Sequence, residues 1–172
     1  MQSDNYPAYF RYWGKTRKSD NDEGDAYHLL PYHCLDVAAV AAYWWDNSTS
    51  LRHAFCTTQQ YSEVQIRAWV LFFIALHDLG KFDIRFQCKA VDVWLNLHSE
   101  DQYVELPTQH SSRTFDHGGA GLFWFIDDYQ SAKNDEVFSF PEPHPYQSWM
   151  PWGEAVMGHH GYVTRQTQVV GG

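Results

Sequence analysis

Histidine and aspartate residues that could bind metal ions recur along this sequence. His77 and Asp78 stand side by side at the end of an apolar stretch, and His159 and His160 lie between two glycines. With two further histidines they form a set drawn from four segments: His33, His77, Asp78, His117, His159 and His160. Five imidazoles and one carboxylate suit Mn, Fe, Co, Ni or Zn better than Ca or Mg. Six ligands exceed what one open catalytic ion uses, so the set predicts two divalent ions with Asp78 as the bridge.

This predicted pair of ions points to hydrolysis of phosphate esters. Two metal ions about 4 Å apart can activate a water and stabilise the attacking and leaving oxygens of a phosphodiester. The sequence offers no suitable motif for nucleophilic catalysis by serine or cysteine. Lys81 stands close to His77 and Asp78 and could contact a substrate phosphate as a point charge. Plainer interpretations stay open, because Lys81 would equally cap a helix end and an isolated His-Asp pair can be a capped helix end with a solvated aspartate.

The segments that carry these residues have helical periodicity. Apolar residues recur at helical spacing from Leu30 to Trp45 and from Phe82 to Leu97, a further helix begins at Asp116, and a shorter one runs from about Trp149 to Met157. His33 falls in the first turn of its helix, where it either points into a site or is an ordinary, partly exposed histidine. The pattern predicts an all-α bundle with long polar loops and a site at one end.

A central helix is predicted within residues 64–81. Its middle, from Ala68 to Leu76, is apolar on every side, which predicts a buried helix. Gly80 predicts a left-handed cap that ends it just beyond the His-Asp pair. Near His117, Gly119 and Gly121 predict a close approach of the backbone to a neighbouring element.

The length of 172 residues predicts one folded domain. Residues 1–26 are polar and glycine-bearing, which predicts an irregular lead-in. Residues 27–162 carry the helical pattern and the metal ligands, and residues 163–172 lack a core-forming pattern and are expected to fray.

The composition limits the class of protein. A net charge of −9 argues against binding of nucleic acid through a broad basic surface, although bound divalent ions can reverse the sign within a cleft. Three cysteines without close ligand spacing suit reduced thiols. The start of the chain lacks a signal-peptide pattern, and the longest apolar run is far shorter than the roughly 18 residues that span a bilayer. We therefore expect a soluble, cytoplasmic protein with no membrane contact.

The order of the ligands resembles that of the HD phosphohydrolase superfamily. Several longer stretches are similar to the HD nuclease portion of the type I CRISPR-associated helicase-nuclease family: YHCLDVAAVA, LFFIALHDLGKFDIRFQ, FDHGGAGLFWF, PHPYQSWMPW and EAVMGHHGY. The resemblance runs from about Tyr12 to Tyr162. It implies an all-helical HD fold and metal-dependent cleavage of single-stranded DNA, with recruitment by the CRISPR surveillance complex.

The resemblance also implies a role for each ligand. One ion would be bound by His33, His77, Asp78 and a further aspartate, and the other by Asp78, His117, His159 and His160. Asp78 and His77 would be central to catalysis, and Lys81 matches the lysine of the family's HDxGK motif, whose expected place is at the phosphate. In the family the further aspartate lies on a last helix downstream of the His-His pair. The sequence given has neither that helix nor a helicase motor, so we expect a truncated domain that binds one ion well and cleaves DNA poorly.

Three functions stay open at this point. The first is a CRISPR nuclease for single-stranded DNA that acts alone or with a separately encoded helicase. The second is an HD phosphohydrolase that acts on nucleotides. The third is a remnant or decoy without catalysis that binds the surveillance complex.

Overall fold

Helices dominate the part of the chain that the computed structural model describes, which is residues 6–17, 26–57, 61–99, 104–134 and 149–161. The α-helices in these ranges are α1 (Leu30–Asn47), α2 (Thr49–Phe55), α3 (Glu63–Ala75), α4 (Ile84–Gln87), α5 (Val91–Leu97), α6 (Gln109–Thr114), α7 (His117–Asn134) and α8 (Met150–Met157). Short 3-10 helices cover Ala8–Arg11, Leu79–Phe82 and Cys88–Ala90. The predicted all-α class is confirmed. No helix within the described ranges has the length and apolarity to cross a membrane.

A small antiparallel hairpin precedes the helices, and the sequence did not predict it. Strand β1 (Trp13–Thr16) pairs with β2 (Tyr27–Leu29), so the prediction of an irregular segment over residues 1–26 is wrong for β1. Strands of three and four residues are too short for a period of two to stand out. The buried side chain of Gln87 holds β1 in place, because it accepts a hydrogen bond from the Trp13 amide at 3.0 Å and donates one to the Trp13 carbonyl at 2.9 Å.

The central helix α3 is buried on one side only. A capping box at Ser62 and Gln65 begins it. Its buried residues recur at helical spacing: Ile66, Val70 and Phe73. Helices α1 and α8 pack against this side. The prediction that the helix is buried on every side is wrong, because Phe72 is 52% exposed.

Gly80 has a different role from the one predicted. It lies inside the 3-10 helix Leu79–Phe82, whereas Gly161 is the glycine in the described ranges that has a positive φ, of 92°. Helix α7 passes so close that a Cβ atom on Gly80 would clash with the carbonyl oxygen of His117. Gly80 is therefore required for the packing of two backbones and not for a left-handed turn.

The single helix predicted from Phe82 to Leu97 is divided into α4, a 3-10 helix and α5. Ala90 interrupts it with non-helical backbone angles, φ −131° and ψ 80°. Its side chains still reach the core, since Phe86, Val93 and Trp94 are buried. The apolar periodicity therefore predicted the buried face but not the break.

Helix α7 begins where the sequence predicted. The Asp116 carboxylate accepts hydrogen bonds from the amides of Gly118 and Gly119 at 3.0 and 3.1 Å, which caps the helix. Its buried residues join those of α8 in one core cluster: Leu122, Ile126, Met150 and Met157. The polar stretch of residues 98–114, one of the long polar loops that the pattern predicts, contains α6, which Thr108 caps. The predicted tail, residues 163–172, lies outside the described residues.

Candidate metal centre

Asp78 occupies the middle of the candidate centre, in the turn that follows α3. Asp78 as a whole is only 1% exposed to solvent. One carboxylate oxygen, Oδ2, lies 3.0 Å from His33 Nε2 and 3.1 Å from His77 Nε2. The other, Oδ1, lies 3.5 Å from both His117 Nε2 and His159 Nε2. Each oxygen of one buried carboxylate therefore faces a different pair of imidazoles.

These short contacts do not satisfy the carboxylate. Neither oxygen of Asp78 accepts a hydrogen bond of suitable direction, although imidazole nitrogens are near both and the Lys81 ammonium group forms an ion pair with Oδ2. A buried charged group without directed hydrogen bonds is costly. Ligand atoms that share an ion at bond lengths of about 2.1 Å lie about 3.0–3.4 Å apart, which matches these separations. The arrangement thus fits a carboxylate that binds metal ions.

The ligand atoms form two groups that share Asp78. His33, His77 and Asp78 make one group, and Asp78, His117, His159 and His160 make the other. Within each group the ligand atoms lie within 4.8 Å of one another. The structure thus brings all six predicted residues together, in the two groups that the resemblance implied. That they bind metal stays a prediction.

Backbone carbonyl groups set the orientation of two of the imidazoles. Nδ1 of His77 lies 2.8 Å from the Ile74 carbonyl, and Nδ1 of His159 lies 3.0 Å from the Val156 carbonyl. A carbonyl can only accept, so Nδ1 carries the proton in both histidines and Nε2 keeps its lone pair. The two Nε2 atoms are therefore available as metal ligands, and both face Asp78.

His117 and His160 face each other through their Nε2 atoms, which are 2.9 Å apart. At most one of the two Nε2 atoms can carry a hydrogen in this contact, so at least one of them presents a lone pair. A shared ion would satisfy both lone pairs at a separation normal for two ligands of one metal.

The hairpin and the glycines bring the ligands close. Gly14 of β1 lies against His33, since a Cβ atom there would be 2.9 Å from the His33 Cβ. On the other side, a Cβ on Gly118 would be 2.5 Å from the Met157 carbonyl oxygen, which fixes the start of α7 against the end of α8. The sequence gives no sign of this role for Gly14, because the strand that contains it is too short to show a period of two.

Lys81 lies inside the centre and not at its edge. Its ammonium group is buried, 2.6 Å from Asp78 Oδ2 and 3.3 Å from the carbonyl oxygen of Gly14. Burial alone would raise the pKa of Asp78, but the polar and cationic groups around it, with His117 and Lys81 among them, outweigh burial and lower that pKa well below its ordinary value. Asp78 is therefore ionised at neutral pH, as a metal ligand must be.

Shifts in pKa keep two other histidines and one cysteine of the centre neutral. Burial lowers the pKa of His159 and of His160, so both imidazoles are neutral and have lone pairs at physiological pH. Burial and the Asp78 charge raise the pKa of the Cys34 thiol to about 11, so Cys34 stays protonated beside the centre. The centre is open on the His159 side, where the side chain is 29% exposed against 8% for His33.

Comparisons with known proteins agree with this geometry. The family model described as "Cas3, HD domain" matches residues 13–170. The CRISPR-associated endonuclease/helicase Cas3 of Escherichia coli (strain K12) is 52% identical over 155 residues, which is 88% of this chain and 17% of that protein. This chain therefore spans a small part of the length of that relative. No solved structure matches.

Proposed function

Because this chain belongs to the Cas3 HD domain family, we propose that it is a metal-dependent nuclease that hydrolyses phosphodiester bonds of single-stranded DNA in type I CRISPR defence. One observation carries the proposal. The buried carboxylate of Asp78 has no directed hydrogen bond, and it joins two groups of imidazoles with the spacing of metal ligands. The name of the relative, an endonuclease/helicase, supports a nucleic-acid substrate.

Each ligand group would hold one divalent ion, with Mn, Ni, Co, Fe or Zn as the candidates. When bound, such ions supply an activated water and stabilise negative charge on the phosphoryl oxygens. The chain's own residues keep the centre ready for them. Asp78 stays ionised, His77 and His159 direct Nε2 inward, and burial excludes bulk water from the His33 side.

Lys81 is proposed to contact the substrate phosphate. In the structure its ammonium group is paired with Asp78, at 2.6 Å. Bound cations would take over the neutralisation of Asp78 and leave the Lys81 charge available for a phosphate oxygen on the same side. Loss of this charge in Lys81→Met should therefore raise KM for DNA and lower kcat while metal still binds.

The two ion sites are proposed to be unequal. Among the described residues, one group has four ligands and the other has three, and they share one carboxylate. The four-ligand group should therefore bind an ion more tightly. Titration of Mn²⁺ into the protein by calorimetry should show one tight and one weak event, and His160→Ala should weaken the tight one. Two equally tight events would contradict this proposal.

We propose two partners, and membership of the Cas3 HD domain family supports both. We propose that the CRISPR surveillance complex presents the displaced strand and that a helicase acts together with this nuclease. A pull-down with the surveillance complex tests the first partner. Retention of the chain without cleavage of single-stranded DNA would favour the decoy alternative.

The decisive experiment measures cleavage of end-labelled single-stranded DNA with each candidate metal and with a chelator. Asp78→Ala should abolish cleavage, whereas the matched control Asp127→Ala changes an exposed aspartate of α7 and should leave it unchanged. Nucleotides serve as the competing substrates. Cleavage that survives Asp78→Ala, or hydrolysis of nucleotides alone, would refute the proposed function.

A further inference from the structure

A row of exposed and half-buried aromatic rings leads to the metal centre from the N-terminal side. We call it the aromatic strip, and it consists of Tyr6, Tyr9, Phe10, Tyr32 and His28. Phe10 lies in its middle, with ring centroids 6.0 Å from Tyr6, 4.8 Å from Tyr9 and 5.5 Å from Tyr32. Tyr32 and His28 are nearly parallel, with 9° between their planes and centroids 6.5 Å apart.

The strip continues into the metal ligands. The ring of His28 lies 6.2 Å from that of His33, and the sequence of rings goes on to His77 at 5.2 Å and to His159 at a further 5.2 Å. The strip therefore begins at the surface at Tyr6 and meets the centre at His33, on its buried side, from which the ring of His77 leads to that of His159 on the open side. No metal function explains the outer part of this row, because tyrosine and phenylalanine in the strip lie beyond the ligand groups.

The strip is accessible to a ligand. Tyr6, Tyr9 and Tyr32 are exposed, and burial in a core therefore does not account for them. The side chain of Asp36 lies 3.5 Å from His28 Nε2, which fixes the His28 ring against Tyr32. Packing of the rings on one another pre-organises their faces, which lowers the entropy lost when a flat ligand binds.

One cation accompanies the strip. In the hairpin Lys15 is the direct partner of His28, so the two side chains lie on the same face of the ribbon. Lys15 is exposed. A neutral aromatic ring beside the positive charge of Lys15 matches a nucleobase with its phosphate, and the Asp36 carboxylate next to His28 leaves Lys15 as the side on which a phosphate is accepted.

We propose that the aromatic strip binds the bases of the single-stranded nucleic acid whose phosphodiester is cleaved at the metal centre. The proposal rests on the proposed function and names the surface that positions its substrate. Stacking on aromatic faces tolerates any sequence, because every base has a π-face. It adds to the binding of a polyanion by this chain of net charge −9 a contribution that does not come from charge. Lys15 contacts one phosphate of the same strand.

The test measures binding of fluorescein-labelled oligothymidylate to the full 172-residue chain by anisotropy, in chelator without metal. Tyr32→Ala and Tyr9→Ala should each weaken binding about tenfold, the loss of roughly one stacked base. Tyr32→Phe should retain binding, since the ring face remains. The matched control is Tyr43→Ala, because Tyr43 lies on the same helix, is 73% exposed against 48% for Tyr32, and is not part of the strip.

An abasic oligonucleotide of equal length separates stacking from phosphate contacts. It should bind more weakly than oligothymidylate to the unchanged protein, and Tyr32→Ala should not weaken it further. Equal loss in Tyr43→Ala and Tyr32→Ala, or equal binding of the abasic and natural strands, would overturn the proposal. The binding assay needs no cleavage, so its failure is distinct from a failure of the nuclease, which Asp78→Ala reports.

Discussion

Gly80→Ala tests whether the contact between two backbones positions His117. The added Cβ would clash with the His117 carbonyl oxygen, and it would lie 2.7 Å from the Gly121 nitrogen and 2.8 Å from the His117 carbonyl carbon. All three are backbone atoms, so no rotamer change relieves the clash. Helix α7 must move away from the turn that carries Asp78, and His117 moves with it.

The expected cost is at the upper end for overpacking, about 3 kcal/mol, because only the backbone can give way. In a domain of this size 1 kcal/mol lowers Tm by about 2–4 °C, so Gly80→Ala should lower Tm by about 6–12 °C. Because the backbone that carries His117 moves, Mn²⁺ binding should also weaken by about 10–100-fold, as it typically does after changes around metal ligands.

The matched control is Gly153→Ala, in the interior of α8. There the nearest atom to a new Cβ is Leu122 Cδ1 at 3.4 Å, an ordinary contact with a flexible side chain. Replacement of a helical glycine by alanine gains about 0.5–1 kcal/mol, so Tm should stay or rise. Thermal unfolding by circular dichroism and calorimetric titration of Mn²⁺ measure both variants. If Gly80→Ala melts and binds metal like Gly153→Ala, close packing of α7 does not position His117.

Three further predictions concern stability. Gln87→Leu should lower Tm by several degrees because it leaves the buried amide and carbonyl groups of Trp13 unpaired, at about 1–3 kcal/mol each. Gln65→Leu, which removes a side-chain acceptor for the Ser62 amide at an exposed cap, should cost less. Asp83→Ala should cost about 1 kcal/mol near pH 7, through loss of a helix cap and of the Arg85 contact. Burial acts to raise the pKa of Asp83, but the contact with Arg85 outweighs burial and lowers that pKa. The stabilisation is therefore fully present above the unfolded-state pKa. It is lost as the pH falls through the lower folded-state pKa. The loss of Tm caused by Asp83→Ala should accordingly shrink in acid, and an unchanged loss would contradict the assignment. Removal of metal by a chelator should lower Tm. Metal at 100 times its Kd stabilises the folded protein by about 2.7 kcal/mol, and the chelator removes that stabilisation. Asp78→Ala should show no such loss.

The sequence predicted the long helices α1, α3 and α7 well because their apolar residues recur at helical spacing over long segments. Leu30 to Trp45 lies within α1, and Asp116 caps α7 as expected. It could not predict the hairpin, whose strands are too short to show a period and whose anchor, Gln87, lies more than seventy residues from Trp13. The exposure of Phe72 could not be predicted either, since apolar residues on all sides of a helix do not indicate which side other elements cover.

The grouping of the ligands was predictable from the residue types and the resemblance, but the reason they meet was not. Six residues of metal-binding type at helix ends already indicated one centre. What brings them within reach is the removal of side chains at Gly14, Gly80 and Gly118, each of which lets another element approach. Glycine has no side-chain periodicity, so its packing role appears only when the partner backbone is known.

The charges of the centre explain why metal and phosphate binding should depend on each other. Among the described ligands Asp78 is the one carboxylate, and Lys81 already pairs with it. Neutral His159 and His160 add no charge. Divalent ions would therefore leave the centre strongly positive, which disfavours a second ion and favours an anion. A bound phosphodiester would offset that charge, so the weaker ion should bind more tightly when single-stranded DNA occupies the site, and by linkage the ion should tighten the DNA.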